Sequence, residues 1–466
     1  TNPIPNALIQ VDAQTQSLQQ SMLTEMVDCI IRQIQHVLQH NAIHQYIDEF
    51  SNVIAHKIAS IGSLSKGYTV KTHPFAVGVF SRACEYGVVP CIETFGRFEN
   101  VRSRVVVLIH RLVKCLGEDI LTVLVTPSIR CLLAYADNSR DTDMAVQVLN
   151  QLMIEFTSKT APMIEVLLPV VMEKCAGLLK ELDDVVPGQN QNQNQIQNPN
   201  QNPNYSQQAM APAHIASEKN TLRKLYLVFL QHIAIHGCHS VLYSTAINQS
   251  ITLTPSNIPQ QPPVANVHKL EEILNLLLDC WKGVFDLNTD KTINVNISIR
   301  KNAIIIISNL CSVWLVERPV PDTLVLESRT LSFPPAHIVT AFRSLVYQNL
   351  IPILLTSCMN TSIINTRDAG GIALVADIGG LFYNIIVANA NSNNCIEIST
   401  EFINYVQLVL LPGLGWPNNP WIMDFMTLLN TIMNGGCGVN TKPAIVVGVF
   451  KENFKKFIKK LKEESS

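Results

Sequence analysis

At 466 residues, 47% hydrophobic and 15% charged, the chain has ample apolar surface for a core, and its length alone suggests two or three globular domains. Lys and Arg number 34 against 36 Asp and Glu, a formal net charge of −2. That balance excludes a global basic field for nucleic acid and leaves any such contact to local patches. The 12 cysteines are scattered without a C-x-x-C pair, and no apolar signal segment opens the chain. They read as reduced core residues of an intracellular protein.

Helical pattern begins by about Ser17, with Met22, Met26, Ile30, Ile34, Val37 and Leu38 in step, and a second helix follows from Ile43 to Ile61. His36, His40 and His44 fall at i, i+4 spacings that could share a face as metal ligands; a polar, glutamine-rich solvent face is the alternative. From Phe98 to Leu182 the chain repeats itself. Val101, Val105, Leu108, Leu112 and Leu116 mark one apolar stripe, and further helices are expected over Ile120 to Leu133, Ala145 to Phe156 and Ile164 to Leu179. Pro90, Pro127 and Pro169 stand where a helix begins or restarts, 37 and 42 residues apart. That is close to the period of HEAT and armadillo-like repeats, roughly 40 to 47 residues. Such a hairpin cannot bury its apolar faces alone, so its neighbours must stack on it. The fold expected is all-α: a right-handed solenoid of HEAT-like hairpins over residues 1–182 and 218–466.

Between them lies 183–217, an insertion whose tract Gln189 to Asn204 (QNQNQNQIQNPNQNPN) has no apolar period and should be disordered. A second break, Thr252 to Ala265, is rich in proline. The histidines His232, His236 and His239 beside Cys238 lack the Glu that a metalloprotease helix needs at Ile233. Asp286, Asn288 and Asp290 imitate the start of a calcium loop, but Lys291 stands in place of its glycine and Ile297 in place of its closing Glu. No metal is expected. The next helix, Ile297 to Val316, carries Arg300 and Lys301 at its head. The pairs Gly370 with Gly371 and Gly379 with Gly380 form no phosphate loop; glycine there suits close helix approach. The apolar run around them has Asp377 near its middle and no basic flank, so no membrane insertion is expected.

The runs GRFENVRSRVVVLIHRLVKCLGEDIL, VLNQLMIEFTSKTAPMIEVLLPVVMEKCAGLL and LRKLYLVFLQHIAIHG resemble the C-terminal half of the exportin-T family, the tRNA exportins of the karyopherin-β group. The likeness spans about Val53 to Leu182, then Leu222 to Gly237, and more loosely Asn349 to the end. With Thr1 in place of Met, the chain reads as a fragment. The resemblance implies a solenoid that embraces folded tRNA on its concave surface and binds Ran-GTP mainly through an N-terminal half. It implies passage by contact with nuclear pore proteins, shuttling between nucleus and cytoplasm, cargo release after GTP hydrolysis, and neither catalysis nor a cofactor. Another importin-β-like receptor or a generic HEAT scaffold is the alternative, since solenoids offer similar surfaces to many partners.

Candidate RNA contacts are Arg300, Lys301, Lys455, Lys456, Lys459 and Lys460. The last four belong to a basic terminal helix near 442–462. There Phe450, Phe454, Phe457, Ile458 and Leu461 form one stripe, and Lys451, Lys455, Lys456, Lys459, Lys460 and Lys462 fan across the other side. Those lysines suit either a solvated cap on the last repeat or a contact for the tRNA backbone.

Overall fold

The structure, a computed structural model, describes residues 6–136, 138–184, 212–243, 267–281, 292–315, 336–361, 363–390, 404–413 and 443–465, with a few isolated positions beside them. Every regular element among the described residues is helical. In order they are α1 (Asn6–Leu38), α2 (Ile47–Leu64), α3 (Phe75–Phe95), α4 (Glu99–Leu116), α5 (Leu121–Ala134), α6 (Ser139–Phe156) and α7 (Ala161–Asp184). Then follow α8 (Pro212–Ile235), α9 (Val267–Asp279), α10 (Thr292–Trp314) and α11, in which Ala336–Ser344, Leu345–Leu350 and Ile351–Met359 run together. Last are α12 (Ala369–Ala390), a short helical piece made of Val406–Leu410 and Leu411–Gly413, and α13 (Pro443–Ser465). The tracts Gln189 to Asn204 and Thr252 to Ala265 lie outside the described residues, as does most of the calcium-loop imitation. Helix occupies 183–184 and 212–217, at both ends of the segment expected as an insertion.

Proline organises these helices in a way that its spacing only partly foretells. In four places the backbone N–H of the residue before a proline reaches back five residues: Val89 to Cys84 O, Thr126 to Leu121 O, Ile351 to Val346 O and Leu411 to Val406 O. Each is a π turn followed at once by Pro90, Pro127, Pro352 or Pro412. Proline has no N–H and its ring crowds the carbonyl four residues back, so widening the turn lets the helix continue past it. Pro169 sits inside α7 and is neither a start nor a restart.

The chain divides into two compact units, one holding the described residues up to Leu222 and the other those from Arg223. In the first unit α2, α4 and α6 pack side by side in one layer, and α1, α3, α5 and α7 in another, with successive helices alternating between the layers. This is the stacking of hairpins expected from the repeat. Val101, Val105, Leu108, Leu112 and Leu116 are all buried on α4. On α1 the phase differs from expectation: Leu23, Val27, Ile31 and Ile34 are buried, while Met22 and Met26 are 55% and 43% exposed.

An ion pair ties α4 to the next hairpin. Arg102 donates to Asp141 Oδ2 at 2.6 Å and to the carbonyls of Gly96 and Arg97 at 3.2 and 2.7 Å, while Asn138 Oδ1 accepts from the Asp141 N–H at 2.9 Å. Both charged side chains are buried, so each depends on the other for its charge.

In the second unit α10, α12 and α13 form one run of packed helices, and α11 touches α13. α12 and α13 meet at the Gly379–Gly380 pair. A Cβ at Gly379 would stand 3.1 Å from Phe454, and one at Gly380 would stand 2.6 Å from Lys451 Cε. Glycine here permits close approach, as its place in the sequence suggested. Tyr243, Trp314 and Phe342 stack edge to face in the core, with centroids 5.7 and 4.9 Å apart. Phe75–Phe95, Ile338–Met359 and Ala369–Ile386 are long and apolar enough to cross a membrane; here each buries part of that surface against other helices.

Candidate nucleic-acid interface

α13 realises its expected amphipathic pattern, and the packing decides what its lysines can reach. Phe450, Phe454, Phe457, Ile458 and Leu461 are buried, and Phe454 packs on Phe382 at 5.5 Å. Two of the six lysines turn toward the protein. Lys451 lies 3.6 Å from Asp377, and Lys462 Nζ donates to Ile364 O at 2.8 Å. Burial lowers the Lys462 ammonium below the usual lysine range. Lys455 pairs with Glu452 and Lys459 with Glu463 at 3.8 Å, each within the helix, while Lys456 and Lys460 are exposed.

Arg300 does not face solvent. It is 3% exposed, its Nε donates to Cys280 O at 3.3 Å, and a terminal nitrogen donates to Ile363 O at 2.8 Å. Its guanidinium lies 5.9 Å from the Trp281 ring. Burial lowers its pKa, a neighbouring Cys280 partly opposing. Arg300 and Lys462 thus hold two consecutive carbonyls of the turn between α11 and α12, a structural duty in place of the expected phosphate contact. Lys301, the next residue along α10, is exposed.

A second basic face lies on α4. Arg104, Val107, His110 and Lys114 are exposed, and Arg111 is half-buried with its guanidinium across α2, where a Cβ at Gly62 would come within 3.1 Å of it. Among the described residues no carboxylate stands in ion-pair contact with Arg104, Arg111 or Lys114. The loop after α2 docks on the end of this helix: Val70 N–H donates to Lys114 O at 3.0 Å, and the Cys115 thiol to Tyr68 O at 3.0 Å. That loop carries exposed Lys66 and Lys71. The face was legible in VRSRVVVLIHRLVK by the same 100° arithmetic that placed the α13 lysines.

The histidine motifs form no site. α1 ends at Leu38, so the helical spacing of His36, His40 and His44 is not carried through; His40 Nδ1 accepts from Ala42 N–H at 3.2 Å. His232 and His236 stack at 5.3 Å, and burial lowers the pKa of His232 and His239, with His236 adding to the effect on His232. Among the described residues no three His, Cys, Asp or Glu side chains are grouped to hold a metal. The described cysteines are free and, except for Cys29, buried; burial pushes the Cys131 thiol up to about 11 and Cys175 to about 12, which keeps them protonated and inert.

Residues 6–186 match the model of the Exportin-T family. That match, over less than half of the chain, supports an Exportin-T assignment for the matched segment. The Exportin-T segment takes in α1 to α7 whole, and with them the basic face of α4, whereas α10 and α13 lie beyond it. No curated protein and no solved structure matches the chain.

Proposed function

We propose that the chain is the C-terminal half of a nuclear export receptor for tRNA. It binds folded tRNA on the inner surface of its helical stack, in a complex closed by Ran-GTP, and lets go after GTP hydrolysis in the cytoplasm. Receptors of this family carry cargo between nucleus and cytoplasm and are not enzymes, and the role asks for no chemistry from the chain. The match over residues 6–186 carries the reading. Contact with nuclear pore proteins belongs to the same proposal. A near-neutral net charge favours a second reading, a scaffold for protein partners, because a general RNA binder ordinarily carries a strong positive excess.

Competition separates the two. tRNA bound to the chain should be displaced by unlabelled tRNA far better than by plain double-stranded RNA, because a fold-reading receptor recognises shape beyond the backbone. Affinity for this half alone should be weaker than about 10 nM at physiological salt, since a wrapping receptor divides its contacts between two arms. Equal displacement by both RNAs would overturn the export reading in favour of the scaffold.

A further inference from the structure

We propose that the open side of the α1–α2 hairpin is a docking groove for an amphipathic helix of a protein partner, one whose apolar stripe is flanked by Asp and Glu. The inference does not rest on the tRNA reading, and its failure leaves that reading as it stands.

α1 carries more apolar residues than its neighbours cover. Leu23, Val27, Ile31 and Ile34 are buried, whereas Leu18, Met22 and Met26, each four residues on from the last, are 62%, 55% and 43% exposed. No other described helix exposes three large apolar side chains, and a patch of this kind marks a surface that something covers. The row continues from Met26 through Ile30, Gln33 and Val37, and Val53, Lys57, Ser60 and Leu64 make the matching row on α2; together they line one open groove. Both rows step by four, three and four residues, the spacing that seats a third helix along the seam of two others. From Leu18 to Val37 the α1 row runs about 28 Å, roughly five turns of helix.

Charge decides the occupant. Arg32, His36, His56 and Lys57 line the groove, and among the described residues no carboxylate does. Lys57 spans the seam to Gln33 Oε1 at 2.5 Å, which holds it in place without neutralising it. Of the nearby acids, Asp28 is engaged by Arg82 of α3 at 2.8 Å and lines a separate polar groove with Glu25. Asp48 and Glu49 stand in the first turn of α2, outside the residues that line the groove. A helix with acidic flanks therefore meets both the apolar floor and the cationic rim. A second copy of the chain, docked groove to groove about a two-fold axis, would set these cations against their own images. A nucleic-acid backbone gains nothing from the methionine row, whereas flexible, polarizable methionine suits apolar side chains of a protein helix.

The test titrates the intact chain against two fluorescent helical peptides of about 20 residues, alike in a leucine stripe at helical spacing and differing in flanks of Glu or of Lys. The Glu peptide should bind roughly tenfold more tightly than the Lys peptide. Met22→Gln/Met26→Gln should lose the binding of both peptides while keeping the melting temperature, since both side chains are exposed. Arg32→Glu/Lys57→Glu should reverse the preference, a gain for the Lys peptide that misfolding cannot produce. Equal binding of the two peptides, or a preference that survives the charge reversal, would overturn the acidic partner. No binding of either peptide below about 100 μM would overturn the groove itself. Self-association of the chain in sedimentation, abolished by Met22→Gln/Met26→Gln, would assign the groove to a second copy and overturn the proposal equally.

Discussion

α4 and α13 are the two most basic helices of the described structure, and they use their charge in opposite ways. Both bury one apolar stripe, and both have a cation turned inward at one end: Arg102 on Asp141, and Lys462 on Ile364 O. On the outward side they part. Lys455 and Lys459 of α13 have glutamates one turn away, and Lys451 stands against Asp377, whereas Arg104, Arg111 and Lys114 of α4 have no such partners among the described residues. The density of lysine in a sequence therefore overstates what a helix can offer a ligand. Neighbours three or four positions along, and carboxylates across a helix seam, decide how much of the charge is left over.

The inward cations give the largest expected effect. Asp141→Ala leaves a buried guanidinium without its counter-charge and should cost about 3 to 5 kcal/mol in denaturant unfolding. Lys462→Met removes the charge-assisted hydrogen bond to Ile364 O at a partly exposed site and should cost about 1 to 2 kcal/mol. Equal losses would show that the α13 anchor is as deeply committed as that of α4, and the contrast between them would fail. Replacing both arms of the α4 pair, Arg102→Met with Asp141→Leu, should recover most of the loss, because the penalty lies in the orphaned charge.

A smaller effect separates the two units by pH. The folded pKa values of His232 and His239 are depressed, so the unfolded chain takes up protons first as pH falls through about 6.5, the ordinary histidine value. Their contribution is complete above that pH and declines below it until the folded state also protonates. Hydrogen exchange taken from pH 7 to 5 should loosen the end of α8 and His239–Tyr243 before α4. Simultaneous loosening would remove the histidines as its cause.

Much of this architecture was legible because helix periodicity is local. The stripe of Val101, Val105, Leu108, Leu112 and Leu116 and that of Phe450 to Leu461 appear in the fold as read. On α1, apolar residues occur on two adjacent rows, and period alone does not say which row meets α2 and α3; the row of Leu23 and Val27 does. Arg300 was legible as a cation at a helix head, but its partners lie 20 and 63 residues away in sequence, so its burial was not. The α4 face required no distant information, only a tally of charge by helical angle.

RNA–protein crosslinking tests the central claim most directly, since it asks both whether tRNA is the ligand and which layer receives it. With tRNA bound to the intact chain, crosslinked peptides are expected from α4 and from the loop carrying Lys66 and Lys71, at a yield that unlabelled tRNA suppresses. Crosslinks confined to α3, α5 and α7, or a yield no greater than with plain duplex RNA, would contradict the account.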